Sequence, residues 1–120
     1  MLFRSRLTET AIGCAFKVLN TLGSGFLEKA YENALAHEIG KSGLRVRQQR
    51  PIPVEYDGTR LGDLVADVVV EDVLIVEIKA TRDHHEILVA QCLNYLKATG
   101  LTICLSLNFG RSREIRRLRC

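Results

Sequence analysis

The run Val73-Leu74-Ile75-Val76-Glu77-Ile78-Lys79-Ala80 places a carboxylate and an ammonium two residues apart inside a stretch otherwise suited to a core. In a β-strand the pleat sends both side chains to one face. Taking such charges out of water without partners costs on the order of several kcal/mol, so Glu77 and Lys79 require a counter-group or a ligand. The nearest second acid is Asp67, which interrupts Val65-Ala66 and Val68-Val69-Val70. Two carboxylates and a lysine near the ends of adjacent buried strands suit all-oxygen coordination of Mg²⁺ or Mn²⁺. Lys79 would then orient or deprotonate an attacking water and offset negative charge. An internal ion pair of Lys79 with Asp67 or Glu77 satisfies the same spacing, because Glu-x-Lys alone is a weak motif.

Strand register decides whether the two acids meet. A strict two-residue loop at Glu71-Asp72 sets Asp67 opposite Val76 and turns it away from Glu77. A three-residue connection with Val70 facing Leu74, or a bulge near Asp67, brings the acids together.

The elements that must hold these groups are readable in outline. Ile12, Ala15, Phe16, Leu19 and Leu22 recur at helical spacing from Thr8, a candidate cap, to Leu22, and Gly23-Ser24-Gly25 ends that helix. A second helical pattern runs from about Phe26 to Ser42. Leu27, Ala30, Tyr31, Ala34, Leu35 and Ile39 share one face, Lys29, Glu32, Asn33 and His37 fall mostly on the other, and Gly43 is the stop. Asp57-Gly58 is the strongest hairpin signal, and Pro51 and Pro53 mark an edge strand. Leu64 to Val70 and Val73 to Lys79 form a second hairpin whose continuous apolar character implies cover on both faces. His84 to Lys97 returns to helical spacing and ends at Gly100. Leu101, Ile103, Leu105 and Leu107 then alternate with polar residues as a strand that returns parallel to the sheet.

Two further sets of residues carry a resemblance. Gly25-Phe26-Leu27-Glu28-Lys29-Ala30-Tyr31 matches a GxxExxY signature, and Ala66-Asp67 followed by Ile75-Val76-Glu77-Ile78-Lys79-Ala80 looks like a D…ExK core. With Gln91…Tyr95-Leu96 and Asn108-Phe109-Gly110, the chain from about Ile12 to Leu118 resembles the GxxExxY protein family of the PD-(D/E)XK nuclease-like superfamily. It departs where members usually carry His, at Leu19, and Pro, at Ser24. The resemblance implies an α/β fold, a restriction-endonuclease-like core with a mixed central sheet of about four strands flanked by helices. It also implies Asp67 and Glu77 as metal carboxylates, Glu28 aimed at the metal face, Lys79 as the catalytic lysine, and Gln91 facing the same pocket.

The 120 residues, 47% hydrophobic, bury about two-thirds of the unfolded surface, enough for one domain spanning residues 1–120. Cys14, Cys92, Cys104 and Cys120 form no CxxC pair and read as buried thiols of a reducing, cytoplasmic setting. No signal-peptide core or membrane-length apolar run occurs. Net charge is only +3, but Arg111, Arg113, Arg116, Arg117 and Arg119 crowd the C-terminus and Arg45, Arg47 and Arg50 form a second cluster. Either cluster is a solvated surface or a phosphate contact. The expected function is metal-dependent hydrolysis of nucleic-acid phosphodiesters, DNA or RNA. The alternative is a catalytically silent nucleic-acid-binding or assembly module of the same fold. At this size, gripping a duplex calls for a partner or a homodimer. Of the remaining polar residues, His84 and His85 read as solvated helix-entry groups and Tyr31 as core with a wet hydroxyl. Gln91 is open between a pocket role and a structural hydrogen bond.

Overall fold

The computed structural model describes residues 2–80, 86–100, 103–110 and 115–119. In chain order these form α1 (Leu2–Leu22), α2 (Glu28–Lys41), β1 (Val46–Tyr56), β2 (Thr59–Val70), β3 (Leu74–Lys79), α3 (Glu86–Thr99), β4 (Ile103–Asn108) and β5 (Ile115–Arg119). The strands make one sheet in the order β1-β2-β3-β4-β5. The β3–β4 pair, joined through α3, is parallel and every other pair is antiparallel. This is the mixed sheet flanked by helices that the sequence leads one to expect, extended by a fifth strand. That strand takes up Arg116, Arg117 and Arg119, opposite Ser106, Leu105 and Ile103. Arg111, Arg113, His84 and His85 lie outside the described residues.

Both faces of the sheet are covered. Leu74, Val76 and Ile78 of β3 join Ala15 and Val18 of α1 and Tyr31 and Leu35 of α2 in one cluster, while Ile75 joins Cys92 and Leu96 of α3 in the other. The alternation along β3 is what a strand buried on both sides requires.

Four details differ from what the sequence predicts. Thr8 is no cap; α1 starts upstream and Thr8 is buried within it. The buried stripe of α1 is Leu7, Ala11, Ala15 and Val18, leaving Phe16 half exposed. Both patterns have helical spacing, and only the angle at which α1 meets the sheet chooses between them. Cys92 and Cys104 are joined as a disulfide, with Cα atoms 5.9 Å apart. The packing of α3 against β4 brings together two thiols that the sequence leaves unpaired. Finally, Arg45 donates its backbone N–H to Glu71 at 2.5 Å and pairs with it through Nε at 3.5 Å, and Arg50 pairs with Asp72. The hydrogen bond from Arg50 holds the Asp72 carboxyl below its ordinary range. Two of the three arginines in this cluster are therefore spent on fastening the β2–β3 turn.

The Asp57-Gly58 turn forms as expected, with φ of 51° and 74° and Tyr56 facing Thr59. Both central residues are left-handed, the pattern that matches strand twist. A Cβ on Gly58 would meet nothing within 4 Å, so Gly58→Ala is expected to cost only the backbone penalty, about 1–2 kcal/mol. A shift in the urea midpoint measures it.

Candidate active site

β2 pairs with β3 over three positions only, Val70 with Leu74, Val69 with Ile75 and Val68 with Val76. Val70 faces Leu74 across Glu71-Asp72-Val73, the three-residue register that places Asp67 level with Glu77. Beyond Val68 the ladder stops. Ile78 N–H, which points toward β2, is taken at 2.9 Å by Oδ2 of Asp67. Ala80 N–H points the same way and is taken at 3.1 Å by Oε2 of Glu28. Two carboxylates thus replace the missing strand carbonyls along the edge that β2 abandons. At a rise of about 3.3 Å per residue those two amides lie about 6.6 Å apart.

Asp67 reaches this position because the pleat inverts around it. Val68 belongs to the core under α1 and α2, yet Ala66 belongs to the core under α3. With neighbours on opposite faces, Asp67 projects in the plane of the sheet, toward β3. The facing strand inverts at the same level. Gln49 has φ of 52°, and Gln48 and Arg50 on either side of it stay paired with Val68 and Ala66.

Glu28 is placed by the other half of the signature. Gly25, with φ of 105°, allows the reversal that leads into α2. The Tyr31 hydroxyl donates to Gly23 O at 2.6 Å and accepts from Phe26 N–H at 3.2 Å. The Tyr31 ring stacks on Phe109 just past β4, centroids 4.7 Å apart and 6° from parallel. Phe109 N–H in turn donates to Lys79 O at 2.8 Å. The spacing of glycine, glutamate and tyrosine therefore fixes where α2 begins, so that Glu28 in its first turn meets the end of β3. The positive end of the helix also favours a carboxylate there.

Glu28, Asp67 and Lys79 line one pocket of about 280 Å³, together with Lys29, Glu32, Gln49 and Ile78. Glu77 is not among its lining residues. It is buried, alternates with Ile78 and is in phase with Ile75, so it faces the α3 side. Gln91 lies within α3 and its side chain falls outside the described residues. Tyr31 is fully buried, as its place on the apolar stripe implies, but its hydroxyl, expected to be wet, is held by Gly23 O and Phe26 N–H and acts as a fastener.

Sequence reasoning does not single out Glu32, Gln48 or Gln49 for this site. Its helical phase puts Glu32 on the polar face of α2, yet Glu32 is only 4% exposed. It accepts from Gln49 Nε2 and Gln48 Nε2, each at 2.7 Å, and from Lys29 Nζ at 3.1 Å. The available signal is its spacing of four from Glu28, which stacks both on one helix face.

A family model of the PD-(D/E)XK nuclease superfamily matches residues 5–118. This chain belongs to the PD-(D/E)XK nuclease superfamily. No curated protein and no solved structure gives a significant match. Nucleases of this superfamily generally use divalent metals, and the donor chemistry of the pocket fits one. Asp67 and Glu28 supply hard carboxylate oxygens with one oxygen each committed to an amide. Among the described residues the second oxygen of Asp67 has only a long contact of 3.4 Å from Gln49. Among the described residues no three acidic, histidine or cysteine side chains already converge as a ligand set. Mg²⁺ is commonly held by one or two carboxylates and otherwise keeps its waters, so a pair of acids suffices. Among the described residues no helix is long and apolar enough to cross a membrane.

Proposed function

We propose that this superfamily member is a metal-dependent nuclease that hydrolyses nucleic-acid phosphodiesters, and that it falls within the GxxExxY family. The supporting observation is the convergence of Asp67, Glu28 and Lys79 on one pocket at the open edge of β3. Asp67 and Glu28 would hold Mg²⁺ or Mn²⁺ in this pocket, whereas Glu77, which the resemblance makes the second metal carboxylate, lies outside its lining. The ion, when bound, supplies Lewis-acid activation of water and of the scissile phosphate. Lys79 offsets the negative charge that grows on the phosphate and orients the attacking water. The nucleic acid is DNA or RNA.

One observation favours a second reading, a catalytically silent binding or assembly module. Both Asp67 and Glu28 already satisfy backbone amides of β3 and its end, a role that holds the fold without any metal. Mn²⁺-dependent cleavage of single- and double-stranded DNA and RNA by wild type and Lys79→Ala separates the two. A nuclease should lose about a hundredfold or more in rate when the stabilising charge is removed. Equal cleavage by both proteins, or none by either, sinks the enzymatic reading.

A further inference from the structure

We propose that Gln49 is a positioning residue that, braced by Glu32, holds the Asp67 carboxylate in the open edge between β2 and β3. The inference deepens the reading above and rests on it for its bearing on metal. Gln49 Nε2 donates to Glu32 Oε1 at 2.7 Å and reaches Asp67 Oδ1 at 3.4 Å. A single amide thus ties a carboxylate on α2 to the carboxylate that caps Ile78 N–H. Glu32 is buried and anchored on its other oxygen by Lys29 and Gln48, so the tie ends on a fixed point.

The backbone supports the same assignment. A left-handed φ of 52° is uncommon for a residue with a long side chain, and it persists only where surrounding contacts impose it. In an ordinary strand Gln48 and Gln49 would point to opposite faces. The left-handed turn of Gln49 sends both amides to Glu32. It also lets β1 invert its pleat at the level where β2 inverts to project Asp67 sideways. Without that matching inversion the one-for-one register from Gln48–Val68 to Arg50–Ala66 would break.

Gln49→Gly tests this cleanly, because glycine keeps the left-handed backbone while removing the amide. Gln49→Asn, which tolerates the same backbone but is one methylene shorter, is the second variant. The first readout is amide hydrogen exchange in metal-free protein. Loss of one supporting hydrogen bond should speed exchange at Ile78 by about three- to tenfold while Ile75, Val76 and Leu105 keep their protection. Unchanged exchange at Ile78, or equal acceleration at all four amides, overturns the proposal. The second readout is Mn²⁺ titration by calorimetry, where the dissociation constant should rise by about three- to tenfold. An unchanged constant in variants of a protein that does bind Mn²⁺ overturns the proposal. If wild type binds no Mn²⁺, the metal reading fails by itself, and exchange at Ile78 alone decides the role of Gln49.

Discussion

Asp67→Ala is expected to lower Mn²⁺-dependent cleavage on the order of a thousandfold, because the ion's contribution to charge stabilisation in such sites is several kcal/mol. It should also lower stability by about 1–3 kcal/mol, since Ile78 N–H at the open edge of β3 loses its acceptor. Asp67→Asn separates the two roles. Its carbonyl oxygen can still accept from Ile78 N–H, so the urea midpoint should stay close to wild type while Mn²⁺ affinity and cleavage fall. A silent module gives the opposite outcome. There, Asp67→Ala would lose stability alone, and Asp67→Asn would be indistinguishable from wild type in both denaturation and Mn²⁺ titration.

Tyr31→Ala is expected to destabilise the fold more than either Asp67→Ala or Gly58→Ala, costing about 3–5 kcal/mol for removal of a fully buried aromatic side chain. Packing is only part of the effect. The ring stacks on Phe109 and meets Phe26 edge-on at 6.1 Å, and the hydroxyl bridges Gly23 O and Phe26 N–H. Tyr31→Phe keeps the stack but leaves Phe26 N–H and Gly23 O without the hydroxyl, for about 1–3 kcal/mol. Thermal unfolding of both variants checks the ordering, at about 4 °C per kcal/mol for a chain of this size. Because Tyr31 fixes the entry into α2, the phenylalanine variant should also weaken the Glu28 to Ala80 contact, seen as faster exchange of the Ala80 amide. An Ala80 amide as protected in Tyr31→Phe as in wild type would show that Glu28 is held by the helix alone.

Much of this framework is legible along the chain. Asp57-Gly58 demands a left-handed turn whatever surrounds it, and the glycines after the first, second and third helices mark real ends. Val70 facing Leu74 can be named from the sequence as the register that the acids require, although the apolar run itself fits either register. Phe16, Glu32 and the Cys92–Cys104 pair are not legible in the same way. Phe16 and Val18 both suit a buried helix face, and Glu32 is polar by type but enclosed by Gln48 and Gln49, which are sixteen and seventeen residues distant.

Residue types and their spacing are enough for the α/β outline and for naming Asp67, Glu77 and Lys79 as a set, while Glu28 and the superfamily come from the resemblance carried by the GxxExxY and D…ExK motifs. Turn chemistry, helix stops and apolar periodicity are local preferences that the backbone expresses anywhere. The orientation of Asp67 is decided only when the chain folds. It lies in the plane of the sheet because β2 leaves β3 after Val68 and because Gln49 inverts the facing strand. That Glu77 stands outside the pocket lined by Glu28, Asp67 and Lys79 is likewise decided only in the folded chain. Pleat phase is a cooperative property of paired strands, and no single strand's sequence carries it.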